Sequence, residues 1–326
     1  MNRDLFIKKY KAFNESDEDI KSSVLTIEHF EDYIQKDIES ATIKDIEAYM
    51  NHLIDIHKNT YDQVIHFTRY FYYVDMKDQY IHMTKYFNSL GVLENIIDRI
   101  NQYESKDIQQ LVISKMELPP FGTSPKDMPR YTKRFMNRLQ ANIDRDKCNK
   151  ILAGNNHKIP DSSFSKEKEY YEQSSSLAMY LKERHERKVK ELTEFYENNR
   201  IWFEQIITRD VIDFVSSNQE ILSGVLKDDK IYVTKIPYDI NRYLEAKTEQ
   251  EKQYWACHCS FVRENILSKV EDIPKEWCYC SGGFAKRPFE VIFDQTLDVE
   301  LLNTAIDGDN YCRFAIDVSG VDYKRG

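Results

Sequence analysis

Lys230-Ile231-Tyr232-Val233-Thr234-Lys235-Ile236 is the stretch on which the fold reading turns. Its apolar and polar side chains alternate with the two-residue period of a half-buried strand. Downstream, Phe289-Glu290-Val291-Ile292-Phe293 and Cys312-Arg313-Phe314-Ala315-Ile316-Asp317-Val318 read the same way, with helices expected at about 260–270 and 298–306. Upstream, apolar residues recur instead every three or four positions, the helical period. The expectation is an α+β protein: an α-helical N-terminal half joined to a C-terminal α/β domain on a small antiparallel sheet. Nine glycines and eight prolines in 326 residues suit a helix-rich chain. Gly282, Gly283, Gly308 and Gly320 fall close to the C-terminal cysteines.

Working back toward the N-terminus, Thr42 with Asp45 three residues on reads as a helix cap before Ile46, Tyr49, Met50 and Leu53. Thr60 reads as the cap of a helix carrying Val64, Phe67, Phe71 and Val74, and Gly91 precedes Leu93, Ile96, Ile97 and Ile100. The aromatic series Tyr70–Tyr73 and Tyr80–Phe87 is expected to be helix core. Pro119-Pro120-Phe121-Gly122-Thr123-Ser124-Pro125 is a break. Beyond it one helix is expected over about 131–150, stopping at Gly154, a long charged one over 166–200, and another over 209–223. These breaks divide the chain into a helical N-terminal domain (1–112), a helical middle region (113–228) and a cysteine-rich α/β domain (229–326).

The formal net charge of −9 argues against a general nucleic-acid binder, which needs a basic face. No stretch approaches the roughly 20 apolar residues that span a bilayer. The start, Met1 to Lys9, lacks the apolar core of a secretory leader. The protein is therefore expected in the cytoplasm, with no membrane partner, where clustered cysteines act as ligands or reactive thiols before disulfides.

Five of the six cysteines lie between Cys257 and Cys312, as Cys257-His258-Cys259, Cys278-Tyr279-Cys280 and Cys312 alone. On an extended segment, residues two apart face the same side, so each pair can present two sulfurs to one point while His258 faces away; His258 counts as a ligand only if the segment is a loop. Tetrahedral zinc wants about four sulfur or nitrogen ligands; an iron–sulfur cluster ranks behind it. The expected metal set is Cys257, Cys259, Cys280 and Cys312, with Cys278 as the substitute for Cys280. Two other outcomes stay open: a reactive thiolate, and sulfurs that merely pack as small hydrophobes. Cys148 and His157 flank the Gly154 stop and form a candidate nucleophile and base. Arg287, after the glycine pair, is a candidate for holding an anionic group.

Cys280-Ser281-Gly282-Gly283-Phe284, followed later by Gly308-Asp309-Asn310-Tyr311-Cys312-Arg313-Phe314, resembles the end of the 4-vinyl-reductase-like domain and of the L-2-amino-thiazoline-4-carboxylate hydrolases, over about residues 225–320. In phenol-sensing members zinc is held by an early cysteine, a Glu-x-x-Cys pair and the final cysteine. Cys312 fits the last position and Cys278 or Cys280 the first, whereas the middle pair falls on Leu301 and Thr304, which are no ligands. Cys257 and Cys259 are expected to stand in for them. Nearer the N-terminus, Ala41-Thr42-Ile43-Lys44-Asp45-Ile46-Glu47-Ala48-Tyr49 and Arg69-Tyr70-Phe71-Tyr72-Tyr73 resemble the helical core-binding domain of tyrosine recombinases, without any downstream match to a recombinase catalytic domain.

The functional expectation is an enzyme acting on a small anionic organic molecule. The hydrolase resemblance implies cleavage of a C–N bond, by a metal-bound water or directly by a thiolate such as Cys278. The rival is a non-catalytic small-ligand sensor carrying a structural zinc.

Overall fold

The computed structural model describes residues 3–12 and 16–326. The architecture is α+β, with helices filling the N-terminal half and the larger sheet confined to the C-terminal part. The chain divides into two compact units, Met1–Leu90 with Glu117–Met128, and Gly91–Met116 with Pro129–Gly326.

The first unit contains α1 (Arg3–Ala12), α2 (Asp17–Ile34), α3 (Ile43–Asp55), α4 (Tyr61–Tyr73) and α5 (Lys77–Phe87). Thr42 caps α3 through a reciprocal pair: its hydroxyl accepts from the Asp45 amide, and the Asp45 carboxylate accepts from the Thr42 amide. Thr60 caps α4. The apolar stripes meet in a core where Phe30 lies 5.1 Å from Tyr49 and 5.2 Å from Phe67, ring edge to ring face. Tyr70, Phe71, Tyr73 and Tyr86 are buried in it, as expected of the aromatic series, with Tyr80 and Phe87 partly buried against it, while Tyr72 is exposed. Phe121, from the proline-rich segment, packs against the same cluster.

The second unit begins with α6 (Val92–Tyr103) and α7 (Lys106–Ile113) and continues through α8 (Met128–Asn142), α9 (Arg145–Leu152), α10 (Ser165–Gln173), α11 (Leu177–Glu197), β1 (Ile201–Trp202), β2 (Gln205–Ile206), α12 (Arg209–Ser216), β3 (Val225–Lys227), β4 (Lys230–Thr234), α13 (Ile240–Glu245), α14 (Glu249–Ala256), α15 (Arg263–Ser268), α16 (Tyr279–Phe293), β5 (Val299–Asn303) and β6 (Arg313–Asp317). α6 sides with this unit, not with the helices before it. Asn95 donates to the Asn156 carbonyl at 2.8 Å, and Arg99 donates to the carbonyls of Ile151 and Lys150, each at 3.1 Å. The sheet runs β3-β4-β6-β5, antiparallel throughout. Thr234 pairs with Arg313, and one step further the Lys235 amide donates to the Cys312 carbonyl at 2.8 Å.

Two expected elements exchange identity. Phe289–Phe293 is the last turn of α16, not a strand, and Val299–Asn303 is a strand where a helix was expected. A five-residue apolar run cannot by itself distinguish a strand from a buried helix end. Here Phe289 and Ile292, three apart, enter the core beside Ile231 and Ile316. β5 therefore becomes the partner of β6, joined to it through the Gly308 turn, where φ is +97°. The helices expected over 131–150 and 166–200 are each broken by a new cap. Asp144 accepts from the Lys147 amide to start α9, and Ser176 accepts from the Met179 amide to start α11. The helix expected over 209–223 stops at Ser216.

One backbone contact orients the region that matters below. A Cβ on Gly283 would lie 2.5 Å from the Gly154 carbonyl oxygen and 2.6 Å from the Ala153 carbonyl carbon. Only glycine lets α16 approach the end of α9 so closely. Gly283→Ala is expected to lower stability by about 1–3 kcal/mol, read as a lower urea midpoint. Gly320→Ala, whose Cβ would have its nearest neighbour 3.9 Å away, should leave the midpoint almost unmoved. Equal midpoints for the two variants would show that the contact is dispensable.

Candidate functional site

α9 ends at Leu152, and the chain turns through Gly154 into Asn155-Asn156-His157. Arg99 binds the last carbonyls of α9 on one side, and Gly283 closes on the other. Asn156 is fully buried; its amide donates to the Leu152 carbonyl at 2.6 Å, and the side chain hydrogen-bonds the Cys280 thiol. The next residue, His157, brings Nε2 to 3.9 Å from Cys280 Sγ. Cys280 is the second residue of α16, which continues from a 3-10 turn over Lys275–Cys278, the Tyr279 amide donating to the Glu276 and Trp277 carbonyls of that turn.

His157 is exposed on its outer side, while its ring meets Phe284 edge to face at 5.6 Å. Burial of the inner edge, then the nearby Lys235 ammonium, push its pKa down to about 4. Burial pushes the Cys280 thiol up to about 12, against the opposing pull of Asn156 and Lys235. Near neutral pH the pair is thus a neutral thiol beside a neutral imidazole, with the imidazole placed to accept the proton.

The remaining four cysteines of the cluster come from three segments. Cys257 caps the C-terminus of α14, Cys278 lies at the N-cap of α16, and Cys312 precedes β6. Cys259 accepts from the Trp277 indole at 3.3 Å. Burial, then the neighbouring Cys312 and Cys259 sulfurs, raise the pKa of Cys257. Burial, then Cys312, Cys257 and Cys259, raise that of Cys278. Cys312 is raised by burial while the Ala305 amide opposes it. The five sulfurs are therefore neighbours, four of them buried and Cys259 partly exposed, with Cys280 beside His157. Among the described residues no three His, Cys, Asp or Glu side chains are placed to hold a metal ion; an ion there would have to draw the sulfurs inward. The Cys257–Cys259 segment is a loop, not a strand, and the His258 ring is held by other groups: Nε2 meets the Ile236 carbonyl at 2.6 Å and Nδ1 the Glu204 carboxylate at 3.3 Å.

Behind Cys257 lies Arg263, 1% exposed, its guanidinium 3.7 Å from the centroid of the Tyr238 ring. Its Nε and Nη1 have no hydrogen-bond partner among the described residues.

The other sequence candidates fall elsewhere. Cys148 is buried with its sulfur 3.4 Å from the Ile143 carbonyl and 3.8 Å from that of Leu139, and burial raises its pKa to about 11. His157 thus meets Cys280. Arg287 is paired with Asp161 and Glu290. It lines a separate cleft of about 560 Å³ with Arg99, Tyr103, Lys150 and Tyr279. Two site residues escaped the sequence reading. Lys235 was absorbed into a strand pattern, and Asn156 into a loop; no local motif marks either.

A family of unknown function, DUF6144, matches residues 242–321. That span contains the five clustered cysteines and excludes His157, Asn156 and Lys235. No curated protein and no solved structure matches the chain. No described helix is long and apolar enough to cross a membrane.

The raised thiol pKa values set a pH dependence. In the unfolded chain these thiols ionise near 9, before the folded ones do. Their stabilising contribution is therefore complete below pH 9 and is lost as pH rises, by about 1.4 kcal/mol per pH unit for each thiol held neutral. Thermal scans should show Tm falling as pH climbs from 8 to 10.5. A flat Tm across that interval would mean that the sulfurs are already ionised in the native state.

Proposed function

We propose that the protein is an enzyme that hydrolyses a C–N bond of a small anionic organic molecule, with Cys280 as nucleophile and His157 as its base. The observation that carries this reading is the 3.9 Å approach of His157 Nε2 to Cys280 Sγ at the start of α16. As the sulfur attacks the electrophilic carbon, His157 takes the thiol proton. The imidazolium then returns the proton to the departing nitrogen. Water attacks the resulting acyl-sulfur bond, with His157 again as base, and the thiol is regenerated. The resemblance of Cys280-Ser281-Gly282-Gly283-Phe284 to the thiazoline-carboxylate hydrolases supports the reaction class. A cytoplasmic location fits the six free thiols, which a reducing compartment keeps in that state.

In the folded protein, limiting iodoacetamide should alkylate Cys280 ahead of the other cysteines, read by peptide mass mapping. His157→Asn should slow this reaction several-fold at pH 7.5 without lowering Tm by more than a few degrees. Equal labelling of all six cysteines, or indifference to His157→Asn, would sink the assignment.

A second reading, a ligand sensor with a structural zinc, is favoured by Arg263. A buried guanidinium with unpartnered N–H groups is costly unless an anion lies near it. A zinc-bound set of thiolates from Cys257, Cys259, Cys278 and Cys312 would be that anion, and it would leave Cys280 outside the metal set. On this reading, elemental analysis finds about one zinc per chain. Cys278→Ser loses the metal, whereas Cys280→Ser keeps it. Metal-free protein of undiminished Tm would remove this alternative.

A further inference from the structure

Lys235 follows β4 and is anchored by its own backbone to the residue that opens β6, through the Lys235 amide and the Cys312 carbonyl. Its ammonium sits 5.4 Å from the centroid of the Phe284 ring and 3.5 Å from the Ser281 hydroxyl. Ser281 and Phe284 are one and four residues beyond Cys280, in the first turns of α16. The Lys235 charge is felt at both Cys280 and His157. Among the described residues no carboxylate lies within ion-pair distance of it. Arg287, by contrast, is already neutralised by two carboxylates. A half-exposed cation held against an aromatic face, without a counter-ion, beside a thiol and an imidazole, is suited to hold an anion delivered from solvent.

We propose that Lys235 is the substrate-anion residue of this site: with the Ser281 hydroxyl it binds the carboxylate of a small molecule whose electrophilic carbon is presented to Cys280. The inference rests on the reading of Cys280 as the reactive thiol. It adds the substrate class, a carboxylate, and moves the anion-holding role to Lys235 from Arg287. Phe284 and His157, both exposed, form the wall that a planar substrate would lie against.

Two alkylating probes separate this inference from its premise. Iodoacetate carries a carboxylate one bond from its electrophilic carbon; iodoacetamide is its neutral analogue. With either, the Cys280 sulfur forms a bond to carbon, iodide leaves with the electron pair of the broken C–I bond, and the thiol proton passes to His157 or solvent. The readout is the ratio of the iodoacetate to the iodoacetamide rate at Cys280 in the full chain. Using a ratio cancels any change in thiol reactivity itself. In Lys235→Met the ratio should fall about fivefold, the order of effect of one unit charge about 4 Å away when solvent screens it as bulk water does. In Lys235→Arg, which keeps the charge, it should hold within about twofold of the starting protein. The fall should shrink as salt is raised. If Cys280 reacts but the ratio is the same in all three proteins, the role of Lys235 is overturned while the thiol assignment stands. If neither probe labels Cys280 in the folded protein, the thiol assignment fails and the inference falls with it.

Discussion

The meeting of two backbones at Gly154 and Gly283 is the constraint from which the rest of the site follows. Helix α16 lies against the sheet through Gly282, where an added Cβ would stand 3.3 Å from Val299 and 3.5 Å from Phe314. Through Gly283 it lies closer still to the end of α9, where the added Cβ would stand 2.5 Å from the Gly154 carbonyl oxygen. Two adjacent glycines thus seat one helix turn between a sheet and a helix end. The turn they seat begins with Cys278 and Cys280, and the segment it touches continues into Asn156 and His157. Remote parts of the chain meet at one sulfur because no side chain stands between them.

That geometry explains which parts of the site were legible in the sequence. The cysteines cluster along the chain, so their grouping could be read directly, whereas Cys257–Cys259 is a loop after α14 and strand periodicity does not apply to His258. The pairing of His157 with Cys280 could not be read, because it depends on a contact across 123 residues. Proximity along the chain suggested Cys148, nine residues from His157, but Cys148 turns into the carbonyls of α8 and its following loop. The fold class was legible because the helical and two-residue periods occupy different halves of the chain. The exchange between 289–293 and 298–306 arose where that signal fails: Pro288 and a short apolar run look like a strand edge, yet α16 passes through them. Its inward residues, Phe289 and Ile292, are held by the sheet they cover.

Charge distribution gives the cluster two distinct sides. Toward His157 the groups near Cys280 are polar and in part exposed: Asn156, Ser281 and the Lys235 ammonium. Toward α15 they are sealed, with Arg263 enclosed between the rings of Tyr238 and Tyr254, 3.7 and 5.5 Å from its guanidinium carbon. Aromatic faces offset part of the cost of burying a cation, but they leave the unpartnered N–H groups unsatisfied. The nearest thiol that could balance that charge is Cys257, whose ionisation Arg263 favours and burial opposes.

The same contrast separates chemistry from support within the five sulfurs. A nucleophile needs a proton acceptor and a path from solvent. Of the clustered cysteines, Cys280 has an imidazole beside its sulfur, and that imidazole has an exposed outer side. At Cys257 and Cys278 burial, then the neighbouring thiols, Cys312 among them, oppose ionisation. Such mutual repulsion disfavours a free thiolate, and it is relieved only by a cation placed among the sulfurs. A two-residue step, from Cys278 past Tyr279 to Cys280, therefore moves a sulfur from among its fellow thiols to a place beside an imidazole, while burial raises both thiols and the Lys235 charge opposes that rise at each.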